Sequence, residues 1–284
     1  MRIVFATDLS EASEAAMRSR TCLDCLENIG VTEVHLVTVV PDTVTSGLPG
    51  MDAVSDRRKA LKTQREVFES AGFEVETHVA RGEPHRRING FADRLDADMV
   101  VVGSRGESPL ENRFVGSTTR NVARTTSRPL LVERIAPAAS DRAVLKEHLF
   151  EHVLVPTDFS DNARQAFEFL PRLEGATREV DLLHVQRNGA AGGDGEADAR
   201  DRLEALAAEV ADEMGIEAGT NVRRGSPAEE ILAEETRVGA TTTLLGTRGQ
   251  SRLRRLLLGS VSEAVVARGN NNVLLVPPES KRQR

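Results

Sequence analysis

The chain repeats itself. Residues 81–106, opening Arg81-Gly82-Glu83-Pro84, align without a gap on residues 224–249, opening Arg224-Gly225-Ser226-Pro227, at an offset of 143 positions that also carries Gly116 onto Gly259. Ile88 and Ala97 fall on Ile231 and Ala240 at the same offset. Near the start of each copy the offset is 150, where Val4-Phe5-Ala6-Thr7-Asp8-Leu9-Ser10 matches Leu154-Val155-Pro156-Thr157-Asp158-Phe159-Ser160. Loops or helix ends between the two stretches must absorb the difference. At 284 residues the chain has room for two domains of the usual ~150 residues, each able to bury its own core. The expected division is a first domain over 1–138, a linker over 139–150 and a second domain over 151–284.

Each copy alternates strand-like and helix-like segments, which predicts a parallel sheet with crossover helices on both faces. Strands are expected near 2–7, 33–40, 74–80, 98–103 and 129–133, and again near 152–157, 179–186, 217–223, 241–246 and 272–276. The runs Met99-Val100-Val101-Val102 and Leu130-Leu131-Val132 lack polar alternation, as strands buried on both faces should. Helices are expected over 11–29, 53–71, 84–96 and 116–126, then 161–173, 197–214, 227–238 and 260–268, with Pro171 able to end the fifth early. Gly30 and Gly72 sit where helix-closing glycines belong, and Pro84 occupies a first helical position. The loop 189–195, with four glycines, is expected to be exposed.

Composition narrows the function. The net charge is −7 and Trp and Tyr are absent, so the chain lacks the basic face and stacking rings of a nucleic-acid binder. No apolar run approaches the ~20 residues a membrane-spanning helix needs. Met1-Arg2-Ile3-Val4-Phe5 leads directly into a strand with no signal-peptide pattern, and the expected location is cytoplasmic.

Within each repeat a spaced set of glycines follows the fourth strand: Gly103-Ser104-Arg105-Gly106, nine residues, Gly116-Ser117-Thr118, and Gly246-Thr247-Arg248-Gly249, nine residues, Gly259-Ser260-Val261. Glycines let backbone N–H groups approach an anion, and a helix opening after the last glycine turns its positive end toward the same anion. Ser117 and Ser260 are candidate helix caps and anion ligands at once. The first strands end in Thr7-Asp8 and Pro156-Thr157-Asp158. If first and fourth strands are neighbours where the strand order reverses, aspartate and glycine loop share one crevice. Asp8 and Asp158 could then hold ribose hydroxyls or a Mg²⁺ ion, or act only as turn residues before a helix.

These motifs, with the Gly-x-Pro helix starts, resemble the universal stress protein family, and both halves match, so the chain is similar to tandem members of its ATP-binding type. The resemblance implies an α/β fold in which each domain is a five-stranded parallel sheet of order 3-2-1-4-5. It also implies ATP, AMP or ADP as ligand, with Mg²⁺ as an optional companion. The glycine set would take phosphates and ribose, the first-strand Asp would lie near the nucleoside, and main chain at the end of strand two would take adenine. By position the last role falls on Val39 and Val185. The family further implies an intramolecular pseudo-dimer, with Leu130-Leu131-Val132-Glu133 and Val273-Leu274-Leu275-Val276 as the meeting strands. Further homodimerisation and an unidentified regulatory protein partner stay open.

The copies differ around the motif. Ala6 and Thr38 in the first stand where Pro156 and His184 stand in the second. Glu107 and Glu111 flank the first glycine set, whereas Arg252, Arg254 and Arg255 flank the second, so the second site is expected to bind nucleotide more tightly. Cys22-Leu23-Asp24-Cys25 lies inside a predicted helix without further Cys or His ligands and reads as two reduced thiols. Neither a P-loop lysine motif nor a Gly-x-Ser-x-Gly elbow occurs. The function the resemblance implies is regulatory nucleotide binding in a stress response, and no catalytic residues are assigned. A slow ATPase or phosphotransferase in the same clefts, with Arg105 or Arg248 on the γ-phosphate, is the alternative.

Overall fold

The computed structural model describes residues 1–10, 13, 20–42, 53–104, 115–134, 148–187, 194–247 and 258–278. The chain divides into two compact units, Met1–Glu147 and His148–Arg284.

In the first unit, β1 (Arg2–Ala6), β2 (Glu33–Val40), β3 (Glu74–Arg81), β4 (Met99–Gly103) and β5 (Leu130–Glu133) form parallel pairs in the order β3-β2-β1-β4-β5. Helices α1 (Arg20–Asn28), α2 (Ala53–Ser70), α3 (Pro84–Arg94) and α4 (Ser117–Thr125) alternate with them. Because parallel neighbours need a crossover, each connection carries a helix over the sheet. Met99, Val100, Val101 and Val102 are buried along their whole length, so both faces of β4 are covered. Phe68 of α2 is wholly buried, edge-on to Phe5 at 5.4 Å and Phe73 at 5.9 Å. Gly30 and Gly72 close α1 and α2 at φ of +81° and +95°, a conformation only glycine takes without strain.

The second unit has the same plan: β6 (His152–Thr157), β7 (Glu179–Gln186), β8 (Ala218–Arg224), β9 (Thr242–Gly246) and β10 (Asn272–Val276), ordered β8-β7-β6-β9-β10. Its helices are α5 (Asp161–Phe167), α6 (Asp194–Met214), α7 (Pro227–Val238) and α8 (Ser260–Arg268). The predicted helix 161–173 is shorter: α5 stops at Phe167, and a 3₁₀ segment, Leu170–Ala176, takes Pro171 into its first turn, where no amide donor is required. Helix α6 begins three residues earlier than expected and takes in Asp194 and Gly195 from the glycine-rich loop; 188–193 lie outside the described residues.

Candidate functional site

The strand order reverses at β1 in the first unit and at β6 in the second, and the crevice opens beyond the carboxyl ends of those strands. Pairing of Ala6 with Val102 brings Thr7 and Asp8 beside Gly103 and Ser104. In the second unit β6 pairs with β9, which brings Pro156, Thr157 and Asp158 toward Gly246 and Thr247.

After each first strand the chain makes the same turn. The Thr7 hydroxyl accepts from the Leu9 amide and Thr157 from the Phe159 amide, both at 3.0 Å. Leu9 and Phe159 sit at φ of +66° and +57°, where a branched or bulky side chain costs about 1–2 kcal/mol. Strain repeated at one position of two copies marks a place where the turn's shape matters. One oxygen of each aspartate holds that turn: Asp8 Oδ1 accepts from the Ser10 amide (3.1 Å) and hydroxyl (2.7 Å), and Asp158 Oδ1 does the same for Ser160. Ser160, not Asp158, caps α5, its Oγ accepting from the Ala163 amide, and Ser10 Oγ accepts in the same way from the Ser13 amide. Asp8 Oδ2, by contrast, is buried and has no hydrogen-bond partner among the described residues.

Both glycine loops are tied at their bases by matching bonds. The Gly116 amide donates to Ser104 O (3.0 Å) and the Gly259 amide to Thr247 O (2.7 Å). Thr119 Oγ1 donates to Gly103 O and Ser262 Oγ to Gly246 O. The Ser104 and Thr247 amides are spent on Glu133 O and Val276 O. Gly116 and Gly259 are the caps of α4 and α8, so Ser117 and Ser260 are first helical residues and not caps as the sequence suggested. Thr118 and Val261 follow them in the first turn. No described feature requires a glycine at 116: its φ of −56° suits any residue, and an added Cβ would meet only Ser104 O at 3.9 Å. Arg105, Gly106, Arg248 and Gly249 lie outside the described residues, as do the flanking Glu107, Glu111, Arg252, Arg254 and Arg255.

Strand geometry places Val39 and Val185 alike. The Thr7 amide donates to Val37 O, so Val37 turns its polar groups toward β1; two residues on, Val39 does the same past the point where β1 has ended. In the second unit Gln186 O accepts from the Gly225 amide on the β8 side, which turns the preceding Val185 toward the β6 side. The main chain of each valine thus faces the crevice.

Two arginines that sequence patterns do not flag reach these strand ends from the helix after the second strand. Arg57 of α2 donates to Asp8 O and Thr38 Oγ1, both at 3.2 Å. In the second unit Arg202 of α6 lies 4.0 Å from the Phe159 ring centroid, and that ring also stacks on His184 at 4.6 Å. His184 Nδ1 bonds Thr157 O at 2.9 Å, so Thr38 and His184, different in kind, both brace the first-strand exit. Neither arginine sits in a motif; only tertiary packing brings them here.

One strand over, Glu133 pairs with Gly103 at the end of β5. Burial pushes its carboxyl up to about 7, against a downward pull from the Cys22 thiol, which donates to Oε1 at 3.6 Å. Burial first, and then Glu133, raise the Cys22 thiol well above its ordinary range, and Cys22 and Cys25 are buried and not disulfide-bonded. A thiol held protonated in this way is neither a ready nucleophile nor a metal ligand.

Two copies of a doubly wound unit, each with the ends of its first and fourth strands side by side at the switch point, define the class. The chain belongs to the universal stress protein family, whose model matches residues 1–134 and again 149–277. A universal stress protein of Mycolicibacterium smegmatis is 27% identical over 300 residues, covering 97% of both chains. One from Methanocaldococcus jannaschii is 25% identical over 153 residues, spanning 46% of this chain and 93% of its own length. The crystal structure of a universal stress protein from Archaeoglobus fulgidus superposes with a TM-score of 0.74 at 25% identity, covering 98% of each chain. Among the described residues no helix is long and apolar enough to cross a membrane.

Proposed function

We propose that both crevices bind an adenine nucleotide, ATP, ADP or AMP, and that occupancy, read by a protein partner, is the output in a stress response. The observation that carries this reading is Asp8 Oδ2, buried without a hydrogen-bond partner among the described residues beside a loop whose closing glycine the described fold does not require. An unsatisfied buried oxygen costs on the order of 1–3 kcal/mol, which a ribose hydroxyl or a Mg²⁺ ion would recover. Phosphates would take the α4 and α8 N-terminal turns, where amides and helix dipole favour negative charge. Adenine would take the main chain of Val39 and Val185, whose donor and acceptor face the same opening.

Asp8, Asp158, Gly103, Gly116, Gly246 and Gly259 are the residues on which binding rests. Two further roles belong to Arg57 and Arg202, which hold the strand-exit turns in shape from outside the ligand. With arginines instead of glutamates in its loop, the second crevice is the tighter of the two.

Mass spectrometry of nucleotide released from freshly purified protein, with calorimetric titration of the full chain by ATP, ADP and AMP with and without Mg²⁺, tests this directly. Bound adenine nucleotide, with one equivalent lost in Asp8→Ala and the tighter equivalent lost in Asp158→Ala, is expected. Absence of binding, or binding indifferent to both changes, would overturn it. Phosphate release measured on the same samples separates binding from slow hydrolysis.

A further inference from the structure

Away from the crevice, near the amino end of β2, two imidazoles and a carboxylate converge. His35 on β2 pairs in register with Glu76 on β3, and His78 lies two residues beyond Glu76 on the same face. His35 Nδ1 is 2.9 Å from His78 Nε2 and 3.4 Å from Glu76 Oε2, with 4.0 Å between His78 Nε2 and Glu76 Oε2. His35 is almost wholly buried, in a strand whose other interior residues are Val, Leu and Thr.

The tautomer follows from the neighbour on the other side. Glu33 Oε1 lies 2.8 Å from His35 Nε2, and Glu33 is itself paired with Arg2 at 2.7 Å. A carboxylate can only accept, so His35 carries its proton on Nε2 and presents a lone pair from Nδ1 to His78 and Glu76. Carboxylate-to-histidine support of this kind orients metal-bound imidazoles and raises their basicity.

We propose that His35 Nδ1, His78 Nε2 and Glu76 Oε2 bind a divalent transition metal of the Zn²⁺ type, with Glu33 as the positioning residue for His35. Metal–nitrogen bonds of ~2.0–2.1 Å in a tetrahedron require ligand atoms about 3.3 Å apart. The observed separations of 2.9, 3.4 and 4.0 Å reach that with shifts of well under 1 Å, and the largest falls on Glu76, whose side chain is 65% exposed and has room to swing. Glu76 leaves the site open to solvent, so water takes the fourth position. Phe91 of α3 packs on His78 with ring centroids 4.8 Å apart and fixes its plane. The site lies four residues, about 13 Å, back along β2 from Val39 and does not depend on the nucleotide reading.

The second unit is an internal control. Where His35, Glu76 and His78 stand in the first, the register of β7 and β8 puts Asp181, Gly219 and Asn221. His152 there is engaged by Asp181 at 2.6 Å, and among the described residues no group of three such ligands forms around it. One metal per chain is therefore expected.

Zn²⁺ titration of the full-length protein against a chromophoric chelator, and Co²⁺ absorption in the visible range, read the site. One equivalent of Zn²⁺, with tetrahedral Co²⁺ bands, is expected in the wild type. Binding weakens by more than ~100-fold in His78→Gln and by about 10-fold in Glu33→Gln. Glu76→Gln, at an exposed side chain, serves as a ligand variant that leaves folding intact, and circular dichroism verifies the fold of all three. No bound Zn²⁺ in the wild type, or Zn²⁺ binding unchanged in folded His78→Gln and Glu76→Gln, overturns the proposal. So does loss of binding only in Cys22→Ser/Cys25→Ser.

Discussion

Glu133 is a carboxyl that the fold holds where water cannot reach it, and neutralising it permanently should make the protein more stable at alkaline pH. Its pKa rises from 4.5 to about 7 through burial. A tenfold change in proton affinity is worth ~1.4 kcal/mol, so the folded state is penalised by about 3 kcal/mol once the group ionises. Because the folded pKa is the raised one, the protonated group's contribution is complete below pH 4.5 and is lost as pH rises through about 7. Glu133→Gln keeps the side chain's shape and an oxygen to accept from Cys22, but cannot ionise. It should match the wild type near pH 4 and exceed it by up to about 3 kcal/mol at pH 8, with the gap opening between those limits. Intrinsic fluorescence offers little, since the chain lacks Trp and Tyr. Urea denaturation followed by circular dichroism at several pH values, with attention to the transition that responds to the substitution, supplies the free energies. A difference independent of pH, or a variant less stable than wild type at pH 8, would refute the reasoning. Val276 occupies the equivalent register position opposite Gly246, so the second unit manages without a carboxyl there.

Glu234 should behave in the opposite sense. Burial pushes its carboxyl up, but hydrogen bonds from Arg237 and Asn221 outweigh this and hold it below the ordinary range. A depressed folded pKa gives stability that is present above the unfolded value and lost as pH falls, so Glu234→Gln should lower Tm at pH 7 and converge on wild type in acid. At Gly116, an alanine finds ordinary backbone geometry and, among the described residues, only an ordinary contact with Ser104 O at 3.9 Å, so Gly116→Ala should leave Tm within a few degrees of wild type. The same change should weaken nucleotide binding at the first crevice about tenfold, near 1.4 kcal/mol, by placing a methyl group where the ligand would approach, and calorimetry reads it directly.

How much of this is legible in the sequence follows from the range over which each signal acts. Buried runs such as Met99-Val100-Val101-Val102 announce central strands because burial on both faces removes polar alternation. Gly-x-Pro starts and closing glycines announce helix ends because they answer to φ and to missing donors within a few residues. Ser117 and Ser260 have the composition of caps but stand one position too late. The extended φ and ψ of Gly116 and Gly259 make those glycines the caps, and no side-chain bond marks the difference. Pro171 foreshadows the early end of α5, but nothing local foreshadows its 3₁₀ continuation.

By itself the sequence determined the duplication, the alternation of strands and helices, and the pairing of an aspartate with a glycine set in each copy. All of these are written in spacing along one chain. Tertiary structure alone decided which distant side chains meet. His35 and His78 are 43 residues apart and touch only because β2 and β3 pair in one register; a slip of one residue would send His78 to the other face. Arg57 and Arg202 reach the strand exits because a crossover helix returns over its own sheet. Asp8 and Glu133 owe their chemistry to burial, which depends on every element packed around them and on no pattern near residue 8 or residue 133.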